Sequence, residues 1–199
     1  MARWEPGAAQ RLQQAALDLF ASCGYEQTTA TQIAQAVGLT ERTFYRHFSD
    51  KREVLFYGQD RFVQAFLDGI GAAPATAPPL EVVGAALRSA ASLFPDERRA
   101  RSRTRQAVIE RNPALRERES HKLASLATTI AEALRARGVD EPTATLAAES
   151  GTTVFGIAFA QWVREGEDRS LGDIAAQVLA QLAALTAPSA VSAANMPTN

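Results

Sequence analysis

The chain is short of the residues that most enzymatic and metal chemistry requires. It has one cysteine, Cys23, so an internal disulfide is excluded, and its spacing from Leu12, Ala16, Leu19 and Phe20 predicts a small core residue. Only two histidines occur, His47 and His121, too few with one cysteine to suggest a clustered metal site, and no metal or cofactor is expected. A glycine-rich phosphate loop, a GxSxG elbow and a cysteine with a base beside it are all missing, which argues against an enzyme. No segment approaches the roughly 18 consecutive apolar residues of a membrane helix, and the N-terminus lacks a charged-then-apolar secretory layout; the expectation is a soluble cytoplasmic protein with no membrane partner. Strand-like alternation is absent too. Positive charge is not in excess: 21 Lys and Arg face 22 Asp and Glu, a net charge of -1. That balance excludes a histone-like coating protein, which needs a broad basic surface, and leaves room only for a local patch.

What is present is a core-forming composition, 46% hydrophobic over 199 residues, and one patterned stretch at residues 28–51. Thr29 and Gln32 have the spacing of a capping box for a short helix in which Ile33, Ala34 and Val37 share a face. Gly38 suits the left-handed residue that ends it, and Leu39 is the apolar residue of the turn. Thr40 can cap a second helix, 41–48, with Phe44 and Phe48 on the inner side and Arg42, Thr43, Arg46 and His47 on the outer. This is a helix-turn-helix pattern, in which the second helix presents its polar face to the DNA major groove. Arginine can bond two acceptors of a guanine edge, threonine can bond a base or touch a thymine methyl, and lysine or histidine suits phosphate. Spacing alone also fits an ordinary helical hairpin with a solvated charged face. The acidic balance likewise leaves open a helical ligand-binding or adaptor protein that does not bind DNA.

Residues 19–55, LFASCGYEQTTATQIAQAVGLTERTFYRHFSDKREVL, resemble the N-terminal DNA-binding domain of the TetR family of bacterial transcriptional regulators. The resemblance is carried by Gly24-Tyr25, Thr28-Thr29, Ile33-Ala34, Val37-Gly38, Thr43-Phe44-Tyr45, His47-Phe48 and Lys51. It implies an all-α homodimer binding a double-stranded, palindromic DNA operator as a ligand-responsive repressor. By the same resemblance, Thr31, Arg42, Thr43 and Arg46 would read bases, and Thr29, Thr40, Tyr45, His47 and Lys51 would touch phosphates. Apart from the resemblance, Arg3 in the arm before the first helix could reach DNA backbone or minor groove, or simply belong to a loose terminus.

The remaining chain reads as helices. A first helix over 10–23 would brace the pair from behind, and a long helix over 51–71, capped by Ser49 or Asp50, would carry Leu55, Phe62, Phe66 and Ile70 on one face. After the break GAAPATAPP, helices are predicted at 80–94, 96–111, 113–137, 142–165 and 171–186. The predicted organisation is a three-helix DNA-binding domain at 1–50, a helical effector-binding and dimerisation domain at 51–187 and a disordered tail at 188–199. Phe62, Phe66, Phe94, Phe155, Phe159 and Trp162 could line an effector pocket or simply pack a core. The basic run Arg98 to Arg105 could attract an anionic effector or be a solvated helix face, so the unknown small molecule would be hydrophobic or anionic. The last two helices are rich in small residues that permit close approach, and the resemblance implies dimerisation through them.

Overall fold

The computed structural model describes residues 7–186, so Arg3 and the predicted tail lie outside the described residues. The described chain is all-α: α1 (Ala8–Cys23), α2 (Ala30–Ala36), α3 (Glu41–His47), α4 (Gln59–Ala72), α5 (Pro79–Ala91), α6 (Arg99–Glu110), α7 (Pro113–Ala136), α8 (Thr143–Trp162) and α9 (Leu171–Thr186). Short 3-10 turns occupy Glu53–Phe56 and Asp96–Arg98.

Apolar burial falls into two clusters. The first gathers Leu12, Leu17 and Phe20 of α1, Ile33 of α2, Phe44 of α3 and Val54, Leu55 and Phe56 of the first 3-10 turn. Val108 and Ile109 of α6 and Leu115 of α7 complete it from the far end of the sequence. The second is built from α4, α5, α7, α8 and α9 around Phe66, Leu87, Ile130, Leu134, Trp162 and Ile174. Helices α4 and α5 cross closely at Gly69, where an added Cβ would lie 2.6 Å from the backbone of Ala85 and Ala86. A side chain there would have to push two helix backbones apart, which is why the crossing takes glycine.

Two expectations are corrected. The helix predicted over 51–71 is broken: a 3-10 turn ends at Phe56, and Gly58 takes φ +91° before α4 begins at Gln59. The apolar positions keep helical phase across the break, so periodicity gave no sign of it. Cys23 is exposed, because α1 ends there, Gly24 turns the chain away and residues 21–23 face solvent.

Candidate nucleic-acid interface

The pair α2–α3 is assembled by its threonines. Thr29 and Gln32 form the reciprocal capping box, with the Gln32 amide donating to Thr29 Oγ1 at 3.2 Å and the Thr29 amide donating to Gln32 Oε1 at 2.8 Å. Gly38 sits at φ +70°, in the left-handed region that closes α2. Thr40 Oγ1 accepts from the Thr43 amide at 3.2 Å and caps α3, while the Thr31 hydroxyl donates to Glu41 Oε2 at 2.7 Å and ties the two helices together. Behind them, α1 contributes Arg11, whose Nη2 donates to the Val37 carbonyl at 2.6 Å and fixes the turn. Phe44 is fully buried, with Tyr45 and Phe48 edge-on or tilted against it at 5.4 and 5.3 Å.

Burial of Phe44 turns the opposite side of α3 outward, where Arg42, Thr43, Tyr45 and Arg46 line one concave surface. Neither Arg42 nor Arg46 bonds or pairs with another described residue, whereas the Thr43 and Thr40 hydroxyls lie 3.0 Å apart. Tyr45 is 52% exposed. His47 is half-buried beside Phe48, and its Nε2 is covered without a partner among the described residues. An exposed guanidinium with no internal partner keeps all its donors for an outside acceptor, and a base edge or phosphate is such an acceptor.

Lys51 is placed differently from the phosphate role that the resemblance implied. Its ammonium lies 4.2 Å above the Tyr25 ring and is aimed at the carbonyls of Tyr25 at 2.8 Å, Thr28 at 3.2 Å and Glu26 at 3.5 Å. Three donors meet three carbonyls, so in this arrangement Lys51 clamps the α1–α2 loop and is not a free phosphate ligand. Burial pushes the Tyr25 phenol up to about 12, against the nearby Arg52 charge. Arg52 is in turn held by Asp50, whose carboxylate accepts from the Arg52 guanidinium at 2.7 Å and caps the following turn through the Arg52 and Glu53 amides. The Arg52 hydrogen bond keeps that carboxyl below its ordinary value.

The six aromatic residues of the second half come together as one cluster. Phe62, Phe66, Phe94 and Phe155 meet at ring distances of 4.9–6.0 Å, and Phe94, Phe159 and Trp162 extend the chain of contacts at 5.5–6.1 Å. In this arrangement the rings pack upon one another as core.

The arginines of α6 within the basic run are each bonded to another part of the fold. Arg99 donates to the Trp162 and Arg169 carbonyls at 3.3 and 2.7 Å and to Glu167, and Arg103 donates to the Val163 and Arg164 carbonyls at 2.6 and 3.1 Å. These carbonyls belong to the C-terminal end of α8 and the loop after it, where guanidinium groups satisfy acceptors left over by the helix. On the other side of α6, Arg101 bonds Gln13 of α1 at 2.8 Å, and Arg105 bonds the Leu55 carbonyl at 2.9 Å and pairs with Glu119 at 3.0 Å. Helix α6 therefore bridges the α8 terminus to the DNA-reading half. The signal was in the sequence as two i,i+4 pairs, 99/103 and 101/105, on opposite faces of one helix.

Comparison with known proteins agrees with this geometry. The family model for bacterial regulatory proteins, tetR family, matches residues 12–57, and the model for the MftR C-terminal domain matches residues 77–187. The chain is 43% identical over 74 residues to the HTH-type transcriptional regulator TcmR of Streptomyces glaucescens, covering 37% of this chain and 33% of that protein. It is 36% identical over 58 residues to the HTH-type transcriptional regulator SAB2452 of Staphylococcus aureus, covering 29% and 31%. The matched stretch thus spans about a third of the length of these curated relatives. Among solved structures, a putative TetR-family regulator from Syntrophomonas wolfei superposes with TM-score 0.63 at 18% identity, over 92% of this chain and 96% of that one. FadR from Thermus thermophilus, a TetR-family repressor solved with lauroyl-CoA, superposes with TM-score 0.53 at 22% identity, over 96% and 100%. At these identities the structures show a shared fold. No helix among the described residues is long and apolar enough to cross a membrane. With a helix-turn-helix whose outer face is free and family models matching both halves, the chain belongs to the tetR family of bacterial regulatory proteins.

Proposed function

We propose that this regulator is a repressor that binds a palindromic operator as a homodimer and leaves it when a small molecule binds its second half. The observation that carries DNA reading is the pair Arg42 and Arg46, exposed side by side on α3 with no partner among the described residues. Thr31 and Thr43 would accompany them at the bases, and Thr29, Thr40, Tyr45 and His47 would approach phosphates. Two copies of α3 must be presented about 34 Å apart to enter successive major grooves.

Support for the homodimer comes from the outward faces of α8 and α9. On α8, Leu146 (65% exposed) and Ile157 (51%) share a helix face with the exposed Thr153 and Ala160, and α9 exposes the small residues Ala176, Ala180 and Ala183. A self-complementary four-helix contact about a two-fold axis would cover that surface. The proposed division is a reader at 1–50 and an effector-binding and dimerisation half at 51–187. An effector could enter by displacing rings of the Phe62–Trp162 cluster, and the lauroyl-CoA bound to the Thermus thermophilus neighbour favours a hydrophobic or anionic molecule. Selection of bound fragments from a random duplex library, with the mass of the complex measured by light scattering, tests the reading. Enrichment of one inverted repeat bound by two chains supports it; absence of any enriched sequence overturns it.

A further inference from the structure

A cleft of about 260 Å³ opens between the start of α4 and the middle of α7, separate from the aromatic cluster. Its walls include Val63 and Leu126 as apolar contacts, Ser125 as a neutral hydrogen-bonding group and the basic side chains Arg118, His121 and Lys122. Two of these bases share a single carboxylate: Arg118 Nε is 2.7 Å from Glu53 Oε1 and Lys122 Nζ is 3.2 Å from Glu53 Oε2. The Lys122 and Glu53 side chains are only 17% and 19% exposed, so this pairing is poorly screened. Two cations against one anion leave a surplus positive charge on the wall of a partly apolar cleft. That combination selects an acid with a compact apolar body. The size is below the roughly 300–1,000 Å³ of ordinary drug-sized pockets, which restricts the body to about one ring or a short branched chain.

We propose that this cleft binds a small organic anion, a carboxylate or phosphate ester, whose acid group competes with Glu53 for Arg118 and Lys122. The inference rests on the ligand-responsive reading above and specifies its ligand class and its route to the DNA. Glu53 opens the 3-10 turn whose Val54, Leu55 and Phe56 are buried in the same core as Phe44 of the recognition helix. Lys122 also lies over the Phe56 ring at 5.3 Å. An arriving anion thus removes the partners of a half-buried carboxylate and loosens the seat of α3 from α7.

The experiment is calorimetric titration of the full chain with benzoate, phenylacetate, 2-methylbutyrate and phenyl phosphate, using benzyl alcohol as the uncharged control. Each is repeated on Glu53→Gln, Lys122→Gln and Lys122→Arg, with thermal melts to confirm folding and DNA affinity measured on the same samples. At least one anion should bind while benzyl alcohol does not. Its affinity should fall about tenfold or more in Lys122→Gln, recover in Lys122→Arg and rise several-fold in Glu53→Gln, where the internal competitor is gone. The bound anion should also weaken DNA binding. No binding by any of the four acids, equal binding of benzyl alcohol, or an affinity indifferent to Glu53→Gln overturns the proposal. DNA binding that persists unchanged with every acid overturns this inference alone, whereas anion binding by a protein that recognises no DNA overturns the regulator reading instead.

Discussion

Arg42 and Arg46 on α3 and Arg99, Arg101, Arg103 and Arg105 on α6 are the same side chain in opposite circumstances. The first two stand exposed with no partner among the described residues, while each of the four on α6 donates to a named carbonyl, amide or carboxylate elsewhere in the fold. In sequence the α6 set is denser and reads either as an anion-attracting run or as a solvated helix face. Partner geometry separates the two sets: a guanidinium whose donors are taken by backbone carbonyls has little left for a ligand, and one left unpaired is available to DNA. Charge count locates arginines, and only the acceptors around them assign the work.

The sharpest way to break this contrast is Arg99→Ala. The Arg99 side chain is 11% exposed and joins α6 to three carbonyls at the end of α8 and in the loop after it, so its loss should cost about 2–4 kcal/mol of unfolding free energy in urea. A cost below about 0.5 kcal/mol, the scale of a surface change, would put Arg99 in the same class as Arg46. Lys51→Met should lower stability by about 1.5–3 kcal/mol through loss of the carbonyl clamp, while the DNA affinity of the folded fraction stays the same. A fall in affinity for all sequences alike, with stability unaltered, would restore the phosphate role instead. Arg46→Ala is the converse case: a loss of about 1–3 kcal/mol in operator binding per subunit, with relaxed preference at one base and stability within about 0.5 kcal/mol of the parent.

The smallest effect expected is a pH dependence at the junction. Burial alone would raise the Glu53 carboxyl, but hydrogen bonds and charge from Arg118 and Lys122 outweigh it and hold it below its ordinary 4.5. A lowered folded-state value stabilises the fold above 4.5, and that contribution disappears as pH falls through the lowered value. Stability measured from pH 6 down to about 3 should therefore fall less steeply in Glu53→Gln than in the parent. Parallel curves would show that the α7 cations do not grip this carboxylate in solution.

Much of the reader was legible because its signals are local. Thr29 with Gln32, Gly38 and Thr40 each specify a cap or turn within four residues, and the structure forms all of them. The helices of the second half were likewise marked by the break at 71–79 and by Pro95, Pro113, Gly138 and Gly166, the two glycines taking φ +87° and +80°. What was not legible depends on distant partners. Leu55, Phe62, Phe66 and Ile70 stay in phase whether or not Gly58 breaks the helix, so the break follows from docking the 3-10 turn under α1. Cys23 fits an apolar stripe by spacing, yet it stays exposed at the end of α1 among the described residues. Lys51 and the α6 arginines find acceptors up to 88 residues away, beyond the reach of periodicity.

The account turns on α3 contacting DNA through its unpaired arginines, and salt dependence with and without one of them tests this most directly. Fluorescence anisotropy of the full chain on its selected duplex, from low to moderate salt, should give a log-log slope near about -4, as for about four cationic contacts per dimer from Arg42 and Arg46. Arg46→Ala should bind at least about thirtyfold more weakly at every salt concentration and lose its preference over a scrambled duplex. A slope near zero, or an Arg46→Ala protein that keeps both affinity and preference, would contradict it.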